Sequence, residues 1–151
     1  YHKIKNPFWD EKINAMRGRF GTKALDMKDV LRFMMKTPND GETAYLFVAD
    51  QSPKKSAIHY YINFLHQNTP VFNGFDKIAQ RKNMGVVYCK TEKRKRGHYH
   101  TTFIRIKPQN EKFEENEIVH QFFDLLEKNI QQHPSNWLWS HKRWKYADLQ
   151  K

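Results

Sequence analysis

Apolar residues recur at two periods along this chain, and together they predict an α/β fold built as a mixed sheet flanked by helices. Phe8 to Met16 reads as a first helix. Met27, Val30, Leu31, Met34 and Met35 fall at helical spacing behind Asp26, a suitable N-cap, and Asn39-Asp40-Gly41 ends that second helix. Ala44 to Ala49 is a continuous apolar run, which predicts a strand buried on both faces. Ile58 to Phe64 adds a strand. Thr69 and Pro70 then start a helix carrying Val71, Phe75, Ile78 and Ala79, and Gly85 to Cys89 predicts another buried strand. His98 to Lys107 alternates and pairs with that strand across a basic hairpin. Val119, Phe122, Phe123, Leu126 and Ile130 define a long amphipathic helix with Glu114, Glu115 and Glu117 around its start, and His133-Pro134 stops it. A last helix over Trp137 to Lys145 places Trp137, His141 and Trp144 on one stripe.

Length fits a single domain over residues 1–151, and 38% hydrophobic content is enough for a normal core. No apolar run approaches the roughly 20 residues that span a bilayer. Cys89, the one cysteine, has no partner for an internal disulfide and reads as a small buried hydrophobe. A formal charge of +11 points to an anionic partner without saying which. Its densest run, Lys90 to Gly97, is either a solvated hairpin tip or a contact for acidic headgroups or an acidic protein surface.

Three positions carry candidate chemistry. Asp50-Gln51 ends the most hydrophobic strand, where α/β sheets bind ligands, although Ser52-Pro53 also suits a loop capped by Asp50. Arg17 and Arg19 flank Gly18 and suit bidentate phosphate binding, or form a surface pair at the negative end of the first helix. On an extended segment the two would face opposite sides, leaving one for the site. The C-terminal run sets three tryptophans among Lys142, Arg143 and Lys145. Either its rings plug the core, or they form an interface where apolar chains meet anions. The histidines and Cys89 show no metal-ligand spacing, so no metal is expected.

The run Trp137-Leu138-Trp139, His141 and Arg143-Trp144-Lys145 resembles the C-terminal signature of the late acyltransferases of lipid A biosynthesis, the lauroyl and myristoyl transferases of the lysophospholipid acyltransferase superfamily. Asn6-Pro7-Phe8 with Met16-Arg17-Gly18-Arg19-Phe20-Gly21 is similar to the family's second block. Leu46-Phe47-Val48-Ala49-Asp50-Gln51 is similar to its third, and Thr69-Pro70-Val71-Phe72-Asn73-Gly74 with Lys77-Ile78-Ala79 to its Thr-Pro-x-x-x-Gly segment. These blocks lie in family order from about Tyr1 to Tyr146. Two departures stand out: Phe64-Leu65 where many relatives have an aromatic-Gly pair, and Val87-Tyr88 where they have a proline.

The resemblance implies a partial lysophospholipid-acyltransferase-like fold and transfer of a fatty acyl group from acyl carrier protein to a hydroxyl of a phosphorylated glycolipid, without a cofactor. It implies substrate binding by Arg17 or Arg19, Asp50 and Gln51. Contact with a membrane or carrier protein is expected through Arg94, Arg96, Trp139, Lys142, Arg143 and Trp144. The family's catalytic signature, a His followed five positions later by an acidic residue, is met by none of the eight histidines. The expectation is therefore a C-terminal part of an enzyme held at the cytoplasmic face of the inner membrane, inactive alone. A nucleic-acid-binding module and a non-catalytic peripheral membrane domain are the rivals, because cations interleaved with aromatics serve both. Against nucleic acid, most aromatics lie in apolar runs and amphipathic faces.

Overall fold

The computed structural model describes residues 1, 3–26 and 29–149. The chain divides into two compact units, 1–40 and 41–151.

The first unit holds α1 (Pro7–Gly18) and α2 (Val30–Lys36). Asn6 caps α1: its side-chain oxygen accepts from the Phe8 and Trp9 amides at 3.0 and 3.3 Å, and Pro7 occupies the first turn, where no N–H is needed. Asp10 fastens the entering chain by accepting from the Ile4 amide at 2.8 Å. The second helix starts later than its apolar spacing predicts, with Asp29 as N-cap; Asp26 instead accepts from the Asp29 and Val30 amides through its carbonyl. Met27 lies outside the described residues.

The second unit contains β1 (Tyr60–Phe64), β2 (Gln67–Val71), α3 (Gly74–Arg81), β3 (Val86–Lys95), β4 (His98–Lys107) and α4 (Glu117–Gln132). The α/β class holds, and the sheet component takes the form of two antiparallel hairpins, β1–β2 and β3–β4. In the first, Phe64 pairs with Gln67 across a two-residue turn in which Leu65 and His66 both have positive φ (49° and 60°). Such a turn matches the right-handed twist of the strands, and glycine or asparagine usually fills it. Thr69 and Pro70, expected to open a helix, belong to β2. Proline tolerates a strand position where no ladder N–H is needed, and the helix begins only at Gly74.

The core forms where α4 lies against both hairpins. Ile118, Val119, Phe123, Leu126 and Ile130 are buried along one face of α4, close to the stripe its periodicity predicts. Phe123 meets Phe64 edge to face at 5.1 Å, and Phe122 meets Phe75 and Tyr88. The start of α4 lacks a side-chain cap from Asn116. Asp76 of α3, fully buried, supplies one: its Oδ2 accepts from the Ile118 and Val119 amides at 3.0 and 3.3 Å, while Gln80 donates to Oδ1 at 2.7 Å.

Three sequence expectations change here. Residues 44–49 form no β-ladder among the described residues; they run as an irregular segment with Phe47 and Ala49 turned toward the core and Leu46 and Val48 82% and 76% exposed. With no neighbouring strand, the second face of this segment has nothing to cover it. In β3 only Tyr88 is buried, and Cys89 is exposed opposite Phe103, because the hairpin buries one face instead of two. Finally, no helix forms over 137–145. A short 3-10 turn at Pro134–Asn136 leads into a chain of tight turns, and tertiary contacts rather than helical hydrogen bonds hold the segment.

Candidate functional site

Residues 50–52 follow the irregular 44–49 segment, and the C-terminal segment fixes them from far along the chain. The Ser52 amide donates to His141 Nε2 at 3.0 Å. The Ser52 hydroxyl donates to the carbonyl of Arg143 and, at 3.4 Å, to that of Lys142. To accept at Nε2 the imidazole must be neutral, with its proton on Nδ1. Asp50 is half-buried and Gln51 exposed.

The C-terminal segment is itself anchored to the first hairpin. Arg143 Nη1 donates to the Pro70 carbonyl at 2.8 Å, Trp144 Nε1 to Thr69 Oγ1 at 2.8 Å, Tyr61 to the Tyr146 carbonyl at 3.5 Å and Asn68 to that of Ala147 at 3.2 Å. Trp137 and Trp144 pack against Phe64, with ring centroids 6.1 and 6.5 Å away. Ser52, directly after the Leu46–Gln51 run, and Thr69-Pro70 thus both meet the Trp-rich run in a single cluster.

Arg143 is the most demanding residue in that cluster. It is 1% exposed, its guanidinium lies 5.6 Å from the Phe123 ring centre, and Nε and Nη2 have no hydrogen-bond partner. Burial pushes its pKa down to about 10, partly offset by the negative charge of Asp50, so it remains cationic at neutral pH. Asp50 also adds to the upward shift that burial imposes on Tyr88, whose hydroxyl accepts from Asn129 Nδ2 at 3.2 Å. The negative charge of Asp50 thus favours the cationic form of Arg143 and the neutral form of Tyr88. Arg143, expected on a contact surface, is corrected to an interior residue: its carbon stem and guanidinium fill space between β2 and α4. Trp144 is half-buried and committed to Thr69.

The remaining candidates lie apart from this cluster or outside the unit. Arg94, Arg96, Trp139 and Lys142 are exposed. Arg94 and Lys90 approach Glu92 at 3.5 Å, and His133 Nε2 lies 2.6 Å from it. Desolvation raises the Glu92 carboxyl, but Lys90, His133 and Arg94 outweigh it and hold the group below the usual carboxylate range. Arg17 sits in the last turn of α1 and Arg19 caps it; the segment is helical, not extended, and both side chains are exposed, Arg19 over the Phe20 ring at 5.5 Å.

Sequence reading missed Ser52 as a tie and Asp76 as a cap. Neither has a local signal, since the partners of Ser52 lie 89 to 91 residues away and those of Asp76 42 and 43. Among the described residues no group of three or more His, Cys, Asp or Glu could hold a metal ion, and no helix is long and apolar enough to cross a membrane.

No curated protein matches the chain in sequence. The sequence profile of the bacterial lipid A biosynthesis acyltransferases matches residues 1–146. That match covers all the blocks described above, and the chain belongs to the bacterial lipid A biosynthesis acyltransferase family.

Proposed function

We propose that this chain provides the substrate-positioning part of an enzyme that moves a fatty acyl group from an acyl carrier protein thioester to a hydroxyl of a phosphorylated lipid A precursor. The observation that carries this reading is the family match over residues 1–146, reinforced by the packing of the Asp50-Gln51-Ser52 turn on the Trp-rich segment. Transfer needs a general base to take the proton of the acceptor hydroxyl. In this reading a His-x-x-x-x-acidic motif supplies it, and that motif is not among these 151 residues. Arg17 or Arg19 holds an acceptor phosphate through a guanidinium fork, and Asp50 and Gln51 shape the site. The exposed Arg94, Arg96, Trp139 and Lys142 face the acidic carrier protein or the anionic inner-membrane surface, and no cofactor takes part.

The test compares the 151-residue chain with the full reading frame that contains it, using an acyl carrier protein thioester and a lipid A precursor. The full enzyme should turn over and the chain alone should not. Asp50→Asn and one of Arg17→Ala and Arg19→Ala should each lower turnover by about tenfold or more. Turnover by the chain alone would defeat the assignment of the base. Full activity in both arginine variants would return the pair to the surface.

A further inference from the structure

The Asp50-Gln51-Ser52 turn has an unusual support. The 44–49 segment leading into it belongs to no ladder among the described residues, so regular secondary structure does not hold this end in place. Besides the packing of Phe47, Ala49 and Pro53, what holds it is the set of bonds from Ser52 to His141, Lys142 and Arg143. The segment carrying those three is anchored in turn to Tyr61, Asn68, Thr69 and Pro70 of the first hairpin. A chain of hydrogen bonds thus connects the turn to the best-buried strands of the unit.

Arg143 makes the arrangement costly. An aliphatic side chain would fill the same space without burying a charge, and the two nitrogens without partners are a further penalty. Groups kept at such cost are expected where a site needs them. What arginine adds over an aliphatic residue is a bond to the Pro70 carbonyl and a guanidinium lying 5.6 Å from the Phe123 ring centre.

We propose that Ser52, His141 and Arg143 are positioning residues that hold the Asp50–Gln51 turn in its working geometry for acyl transfer, an inference that rests on Asp50 acting in the site. The Trp-rich signature is then the strap that aims this turn: Arg143 is buried and Trp137 and Trp144 pack inward on Phe64, while Trp139, Lys142 and Lys145 stay exposed. His141 acts through Nε2 as an acceptor, Ser52 through both its amide and its hydroxyl, and Arg143 through its carbonyl and its anchoring bond to Pro70.

Kinetics of the full reading frame test this. His141→Ala removes the acceptor at a partly exposed position, whereas His141→Gln can present Oε1 near the place of Nε2. The expected result is a kcat loss of about tenfold or more in His141→Ala with KM within about threefold, and recovery to within about threefold of wild type in His141→Gln. Because His141 works through Asp50, the Asp50→Asn/His141→Ala double variant should be no more than about twofold slower than Asp50→Asn alone. Ser52→Ala, which keeps the amide bond and loses the hydroxyl, provides a milder lesion of the same kind if His141→Ala does not fold. Losses that multiply in the double variant, or equal losses in His141→Ala and His141→Gln, would reduce the strap to scaffolding and overturn the proposal. A slow Asp50→Asn beside a fully active His141→Ala would overturn it while leaving the Asp50 role standing. Full activity in Asp50→Asn would instead defeat the role given to Asp50, and this inference with it.

Discussion

The two hairpins of the 41–151 unit share an antiparallel ladder and little else. The β1–β2 hairpin is short, and Phe64, Thr69 and Val71 are fully buried in it. The β3–β4 hairpin has strands twice as long, yet Tyr88, Ile106 and Lys107 are its only buried residues. Its outer face exposes Val87, Cys89, Tyr99 and Phe103 beside Lys93 and Arg105, and its tip is cationic. The difference follows from what covers each. The Trp-rich segment and α4 close over the first hairpin, whereas α4 touches one face of the second and the Glu92–His133 contact ties it there. Aromatic rings and cations occur both in the Trp-rich segment and in the second hairpin, so composition alone does not decide which is buried.

The sharpest way to break this contrast is to remove a ring from each side. Trp144→Ala should cost about 3 kcal/mol in urea unfolding of the chain, because it empties space against Phe64 and removes the bond that buried Thr69 accepts from the indole. Phe103→Ala, at a side chain 70% exposed, should fall within about 0.5 kcal/mol of wild type. Comparable losses in the two variants would mean that the outer face of the second hairpin is covered in solution.

Cations sharpen the same comparison with a somewhat smaller effect. Arg143→Ala should destabilise by about 2 kcal/mol through lost packing on Phe123 and the lost bond to Pro70. Arg143→Met keeps most of the volume and removes the buried charge, so it should unfold within about 1 kcal/mol of wild type. Arg96→Ala at the exposed tip should be silent. An Arg143→Met variant as unstable as Arg143→Ala would show that the charge itself holds the fold.

How legible each hairpin was follows the same division. The exposed one could be read from sequence because alternation over His98 to Lys107 and the basic run ending at Gly97, whose φ is +77°, are local signals. The buried one was half-read. Its first strand was expected, but its turn has Leu65-His66 where asparagine or glycine would announce a hairpin, and Pro70 pointed to a helix start. In the Trp-rich segment Trp137, His141 and Trp144 keep helical spacing, which predicts a helix, yet long-range bonds to Ser52, Thr69 and Pro70 set its path. Asp50 was legible as a position of interest; the residues that hold it were not, since no local pattern encodes a bond across about ninety residues. The same buried turn gives a prediction with the opposite sign. A leucine at φ +49° carries strain that glycine lacks, so Leu65→Gly should stabilise the chain by about 1 kcal/mol in urea titration, provided its amide keeps its bond to Glu127. A loss of stability would show that the Leu65 side chain, half-buried against the core, outweighs the strain.

The smallest expected change in stability comes from the tip of the second hairpin, where function and fold should separate most cleanly. Replacing Lys93, Arg94, Lys95 and Arg96 together with serine removes exposed charges and little packing, so unfolding should shift by about 0.5 kcal/mol or less. Association with anionic vesicles should respond far more. Each cation near an acidic surface contributes about 1 kcal/mol, so loss of four should weaken binding by orders of magnitude at low salt if all four face the bilayer. Screening over about 8 Å at physiological ionic strength should shrink the difference as salt rises. Co-sedimentation with anionic and neutral vesicles, and with a single-stranded oligonucleotide as competitor, measures this directly. Unchanged vesicle binding in the four-residue variant would exclude the tip as the contact and return it to a solvated turn. Tight oligonucleotide binding by the wild type, lost in the variant, would favour the nucleic-acid rival instead.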